Sequence, residues 1–65
     1  MIVYIARDWY GTMVFRAKPK LIDNGGRMEW TGYRRCELER LIPRSLNLKK
    51  NEFVEAELTL TINKH

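Results

Sequence analysis

The sequence predicts an all-β domain, a small antiparallel sheet of about five strands that includes one helical turn and curls into a partly open barrel. Three observations support this class. Residues 53–62 alternate apolar and polar side chains, which is the pattern of a strand with one buried face. Residues 2–6 are apolar at every position, as expected of a central strand covered on both faces. Short turn motifs separate the other apolar segments.

The chain has 65 residues, enough for one domain over residues 1–65 with one small core. Twelve Lys and Arg residues outnumber eight Asp and Glu residues, and residues 1–50 hold eleven of the basic and five of the acidic ones. This asymmetry suits an anionic partner. The alternative interpretation is that the charge only keeps a small domain soluble.

The compartment is predicted from cysteine use and from the N-terminus. Cys36 is the only cysteine, so an internal disulfide is excluded and a reducing compartment, the cytoplasm of a host cell, is favoured. The apolar run at residues 1–6 is too short for a signal peptide or a membrane span. We therefore expect no membrane partner.

The first two strands are predicted to form a hairpin. Asp8 opens and Gly11 closes a four-residue turn, the pattern of a hairpin loop with a bulge and a left-handed glycine. The return strand is predicted over residues 12–17, with one face formed by Met13, Phe15 and Ala17. Pro19 ends this strand because it lacks an N–H donor.

Residues 20–26 are predicted to form a loop, since they end in Asp-Asn-Gly-Gly. Residues 27–31 alternate and are predicted as the third strand, with Met28 and Trp30 on one face. A polar loop over residues 44–52 follows later, and its leucines, Leu46 and Leu48, are expected to fold onto the core as a lid.

The secondary structure of residues 33–42, between the third strand and the polar loop, is ambiguous. Leu38, Leu41 and Ile42 have helical spacing, but a helix starting near Arg34 would place two arginines at the positive end of its dipole. We therefore predict a fourth strand over residues 34–38, with Cys36 and Leu38 facing inward. A single helical turn over residues 39–42 follows and ends at Pro43.

The pattern as a whole resembles a family of short uncharacterised proteins of phages and mobile elements in gut bacteria. The matching features span nearly the whole chain: Ile5-Ala6-Arg7-Asp8 with Gly11, Phe15 with Lys18-Pro19, Trp30, Leu41-Ile42-Pro43 and Val54-Glu55-Ala56-Glu57-Leu58. The resemblance implies an accessory protein of a mobile genome with no known activity. This chain departs from the family pattern at Trp9-Tyr10, where the family has charged or polar residues.

The first candidate binding group lies at the tip of the first hairpin. Trp9 and Tyr10 are flanked by Arg7 and Arg16, and these residue types dominate binding hot spots and stack on nucleic-acid bases. The alternative is that one ring folds back over the sheet and the other is lightly exposed.

The second candidate group is a basic segment. Arg34 and Arg35, supported by Arg40 and Arg44 with Tyr33 and Trp30 nearby, suit phosphates and bases. The alternative is a solvated face on which these arginines pair with Glu29, Glu37 and Glu39.

No catalytic, metal or cofactor signature is present in the sequence. Glu55 and Glu57 share one face of a predicted strand without a pocket that would separate their pKa values. The only histidine is His65, and Cys36 has no internal histidine partner. We therefore predict that the protein is not an enzyme and carries no cofactor or metal.

The leading functional hypothesis is a non-enzymatic accessory binding protein whose basic and aromatic side engages a nucleic acid or a nucleotide-like anion. Its predicted contact residues are Arg7, Trp9, Tyr10, Arg16, Arg34 and Arg35. One alternative is a protein-interaction module, for example an inhibitor of a host defence protein, using the Trp9-Tyr10 tip or an open strand edge. Another is a small structural subunit. A homodimer is also anticipated.

Overall fold

The computed structural model describes residues 1–59 and contains five strands and one short helix. The elements are β1 (Ile2–Arg7), β2 (Thr12–Phe15), β3 (Lys20–Asn24), β4 (Arg27–Thr31), a 3₁₀ helix (Cys36–Leu41) and β5 (Glu52–Glu57). All strand pairs are antiparallel. The predicted strand-rich class is therefore confirmed.

The five strands form two sheets, so the prediction of a single curled sheet is wrong. One sheet has the order β2-β1-β5, and the other is the β3-β4 hairpin. The outer edge of β2 is occupied by residues 33–35, because the N–H of Arg35 donates to the carbonyl of Val14 at 2.8 Å and the N–H of Arg16 donates to that of Tyr33 at 2.8 Å. With this edge occupied, β3 does not extend the sheet, and residues 1–59 do not form a closed barrel.

Strand β1 is the centre of the fold, as its uninterrupted apolar run predicts. Val3 and Ile5 face one side, where they form a cluster with Val14 and Leu48. Ala6 faces the other side and packs with Met13 and Phe15. Because successive side chains of a strand alternate between faces, an apolar run lets β1 contribute to both clusters.

The β1-β2 turn is confirmed between Asp8 and Gly11, since the N–H of Asp8 donates to the carbonyl of Gly11 at 3.0 Å. Gly11 has a φ of 146°, a backbone region that side chains disfavour. β2 is shorter than predicted because it ends at Phe15. Ala17 lies beyond the end of the strand and is exposed, so the prediction that it shares a strand face with Met13 and Phe15 is wrong.

Residues 20–24 form β3, so the predicted loop over residues 20–26 is wrong. Gly25 and Gly26 are the two central residues of a tight hairpin turn, with φ values of 64° and 89°, as a type I′ turn requires. The next strand, β4, has the predicted bounds, and Met28 and Trp30 are both half-buried on one face.

The predicted fourth strand over residues 34–38 is also wrong. Only Arg34 forms a bridge, to Phe15, and residues 36–41 are helical. Cys36 is exposed and does not face the core. The helix begins after the two arginines and has Glu37 and Glu39 in its first turn, where carboxylates are favourable. It ends before Pro43, as expected.

The segment that contains Leu46 and Leu48 covers the face of the first sheet on which Val3 lies. Leu48 is buried and Leu46 packs against the same cluster, so the predicted lid is confirmed. β5 is an edge strand of the first sheet. The predicted alternation holds for its described part, with Val54 and Ala56 half-buried and Glu55 and Glu57 exposed. The prediction for Leu60 and Ile62 lies outside the described residues.

Candidate functional site

The turn that carries Trp9 and Tyr10 is anchored by a buried carboxylate. Oδ1 of Asp8 accepts hydrogen bonds from the N–H of Tyr10 at 2.8 Å and of Gly11 at 3.3 Å. Oδ2 of Asp8 accepts a third, from the N–H of Trp30 on β4, at 3.1 Å. Asp8 is 4% exposed. The same side chain therefore shapes the turn and attaches it to the second hairpin.

The Trp9 ring is held on three sides. Its Nε1 donates to Oε1 of Glu29 at 3.0 Å, and the guanidinium carbon of Arg27 lies 4.3 Å from the ring centre, within the range of a cation–π contact. The Tyr10 ring meets it edge-on, with the ring centres 5.7 Å apart. Trp9 is nevertheless 41% exposed. The tip is thus an ordered aromatic surface that solvent still reaches.

Tyr10 is 69% exposed and borders a shallow hollow of about 190 Å³. The hollow is lined by Asp8, Trp9, Tyr10, Met13, Glu29, Trp30 and Arg34. It brings together three of the six predicted contact residues: Trp9, Tyr10 and Arg34. We call this region the aromatic tip.

Two of the predicted arginines pair with neighbouring carboxylates. Nε and Nη2 of Arg34 each lie 2.8 Å from Oε1 of Glu39, and this hydrogen bond raises the pKa of the guanidinium above its usual value. Arg35 pairs with Glu37. The pKa of Glu37 is lowered, first by a hydrogen bond from its own backbone and then by Arg35. For these two arginines the structure shows the pairing that the alternative interpretation predicted.

The remaining two predicted residues lie away from the aromatic tip. Arg7 follows Val3 and Ile5 on their face of β1, and its Nη1 donates to the carbonyl of Leu48 at 2.6 Å. This contact holds the lid segment in place. Arg16 borders a second hollow of about 390 Å³ together with Ala17 and Tyr33, and Tyr33 is 75% exposed.

Sequence reasoning missed the residues that position the Trp9 ring. Arg27 was assigned no role, Glu29 only a possible pairing with the arginines near residue 34, and Asp8 only a place in its turn. Their contacts depend on how the β3-β4 hairpin packs against the first hairpin. Alternation along β4 places Arg27 and Glu29 on one face, but it does not predict which residue they meet.

The described residues contain neither a cluster of metal-ligating side chains nor a helix that could span a membrane. Within residues 1–59, no group of three or more His, Cys, Asp or Glu side chains is placed to hold a metal ion. The helix in that part of the chain lacks the length and apolar character needed to cross a bilayer.

Comparisons with protein-family models, with curated proteins and with solved structures give no match. The resemblance to phage and mobile-element proteins therefore stays a prediction that rests on the residues quoted for it.

Proposed function

We propose that this chain is a non-enzymatic binding protein that contacts another protein through the aromatic tip. Following the resemblance, it acts as an accessory protein of a phage or mobile element in the host cytoplasm. Inhibition of a host defence protein is one role of this kind. The observation that supports the proposal is the Trp9 ring, which is fixed by Glu29 and Arg27 and remains 41% exposed.

An ordered exposed ring favours protein binding for an energetic reason. Immobilising a side chain on binding costs about 0.5–1.5 kcal/mol, and much of this cost is already met for Trp9 in the free protein. Tyr10 adds a second large ring that has only two rotatable side-chain bonds. Trp, Tyr and Arg are the residues most enriched among binding hot spots.

The charges that line the hollow favour a protein over a phosphate; Arg27 lies on the Trp9 ring and does not line the hollow. The hollow contains two carboxylates, Asp8 and Glu29, and one arginine, Arg34, which already pairs with Glu39. An anion entering the hollow would meet these carboxylates and compete for a cation that is already paired. An uncharged or mixed protein surface meets no such opposition.

Site-specific photo-crosslinking tests the proposal. A benzoylphenylalanine at Tyr10 should form an adduct with one discrete polypeptide in a bacterial lysate. Asn47 is exposed in the lid segment, so the same probe at Asn47 should not form the adduct. Trp9→Ser in the Tyr10-probe protein should abolish it. A nuclease-sensitive adduct, or equal adducts at both positions, would contradict protein binding at the tip.

Nucleic-acid or nucleotide binding is the second candidate, supported by the hollow between Arg16 and Tyr33. Within residues 1–59 no carboxylate pairs with Arg16, and Tyr33 offers an exposed face on which a base can stack. The net charge of +4 favours the approach of a polyanion.

A fluorescence-anisotropy titration with a labelled single-stranded oligothymidine tests this candidate. If two phosphates are neutralised, affinity should fall about sevenfold between 50 and 200 mM salt. Arg16→Gln and Tyr33→Ser should each weaken binding, whereas Arg44→Gln is the matched control. Absence of binding at 50 mM salt would eliminate the candidate.

A further inference from the structure

One face of the β3-β4 hairpin continues the surface of the aromatic tip. Residues that lie opposite one another in an antiparallel pair share a face. The face in question, which we call the hairpin face, is formed by Lys20, Ile22, Asn24, Arg27, Glu29 and Thr31. Arg27 and Glu29 both contact the Trp9 ring. The ring therefore lies on the hairpin face, beside β4.

The hairpin face presents positive charge to a partner. Its one acid is engaged within the face, because Oε1 of Glu29 accepts the indole N–H of Trp9 and Oε2 accepts an amide N–H of Asn24 at 3.3 Å. Its two cations, Lys20 and Arg27, have no carboxylate partner within residues 1–59. A partner with an acidic group therefore complements this face.

Arg27 is the cation best placed to bind such a group. Its side chain is exposed, and the guanidinium carbon lies 4.3 Å from the centre of the Trp9 ring. A cation–π contact engages the charge of the guanidinium and leaves its N–H groups for a second partner. These donors form a planar fork that matches both oxygens of a carboxylate. Because the ring restricts the side chain, less conformational entropy is lost on binding.

An exposed apolar side chain lies close to this cation. Ile22 is exposed and is the diagonal neighbour of Arg27 across the two strands, at a separation of about 7–8 Å. In an extended chain, residues i and i+2 point the same way and lie about 7 Å apart. An extended segment is therefore able to place an acid on Arg27 and an apolar side chain on Ile22.

We propose that the partner of the aromatic tip presents an extended protein segment in which an Asp or Glu stands two residues from a large apolar residue. The carboxylate binds the guanidinium of Arg27, and the apolar side chain covers Ile22. This inference rests on the proposed function, since it assigns the chemistry of the same partner. A phosphate backbone also matches Arg27 but has no side chain for Ile22, so the two residues together favour a protein segment.

A peptide-display selection on the full chain tests the proposal. Short random peptides that bind should share an acid two positions from Leu, Ile, Val or Phe, and Trp9→Ser should abolish their enrichment. The same selection on Arg27→Glu should favour Lys or Arg at the acidic position, because the charge of the contact is then reversed.

A double-mutant cycle with one selected peptide tests the contact itself. In a fluorescence-anisotropy titration, Arg27→Gln in the protein and replacement of the peptide's acid by its amide should each weaken binding about tenfold. The two changes together should weaken it no further, since both remove the same ion pair. Ile22→Thr should weaken binding about fivefold. Arg44→Gln is the matched control, because it removes an exposed arginine from the segment after the helix, and it should leave binding unchanged.

The outcomes distinguish this inference from the proposed function. Peptides that require Trp9 but share no acid, or two losses that multiply to about a hundredfold, overturn the carboxylate contact and leave the aromatic tip as a protein-binding site. If no enriched peptide requires Trp9, both are overturned. Displacement of the peptide by a single-stranded oligothymidine at about 0.15 M salt assigns Arg27 to a phosphate and overturns the acidic protein segment.

Discussion

We expect Asp8→Ala to destabilise the fold by about 3–4 kcal/mol, because Asp8 is buried and accepts three backbone hydrogen bonds. The bond from Trp30 to the carboxylate contributes about 2 kcal/mol, and the two bonds that share Oδ1 in the turn contribute about 1 kcal/mol each. A domain of this size has a total stability of about 3–10 kcal/mol. The substitution therefore removes a large part of it.

Urea unfolding followed by tryptophan fluorescence measures this loss. Asp8→Asn keeps an oxygen for the turn but turns its amide N–H₂ toward the N–H of Trp30, so we expect a loss of about 2 kcal/mol. Asp23→Ala is the matched control. Asp23 is exposed and accepts one bond, from the N–H of Gly26 at 2.9 Å, so about 0.5 kcal/mol should be lost. Equal losses for Asp8→Ala and Asp23→Ala would refute the role assigned to Asp8.

Three further results are expected. Gly25 has a φ of 64° with open space around it, so Gly25→Asn should leave the melting temperature nearly unchanged. Gly25→Val should lower the free energy of unfolding by about 1–2 kcal/mol. Equal effects of the two substitutions would contradict the turn assigned to Gly25. Cys36 is exposed, so the folded protein should react with a thiol reagent as readily as the unfolded chain, and Cys36→Ser should shift melting by about 3 °C at most. A protected thiol would place it in the core. The pKa of Glu37 is lowered, so its contribution is present at neutral pH and is lost as the pH falls through that lowered pKa. Carboxyl NMR should show a midpoint below the ordinary value, and Glu37→Gln should flatten the acid side of the stability curve.

The strands whose patterns are locally unambiguous were predictable. β1 is apolar throughout and β4 alternates cleanly, so both appear where expected. β3 was missed because its side chains are mostly exposed and alternate weakly. Its clearest signal is the Gly25-Gly26 pair, which was interpreted as the end of a loop but is a favoured pair for a two-residue hairpin turn.

The helical turn predicted over residues 39–42 overlaps the helix at Cys36–Leu41, but the predicted start lies too late in the chain. Arg34 and Arg35 argue against a helix only if they lie in its first turn. In the structure they precede it, and their segment instead hydrogen-bonds to the edge of β2. Whether a segment starts a helix or borders a strand depends on a free sheet edge elsewhere in the chain, which local pattern does not reveal.

The candidate site was predictable in composition but not in arrangement. Trp9 and Tyr10 stand out as aromatic residues in a turn, and they are exposed in the structure. The pairing of Arg34 with Glu39 and the anchoring of Arg7 on Leu48 follow from tertiary packing. Residue type thus indicates which side chains are able to bind, and packing decides which of them remain free.

The order β2-β1-β5 has a kinetic consequence. The β1-β2 and β3-β4 hairpins join neighbouring segments and can form within about 1–10 μs. β5 must instead close a long loop to reach β1, since Ile2 pairs with Glu57 and Arg7 with Glu52. Contacts so distant in sequence form slowly. Until β5 docks, the central strand has a bare edge, so refolding at high concentration should lose material to aggregation during that interval.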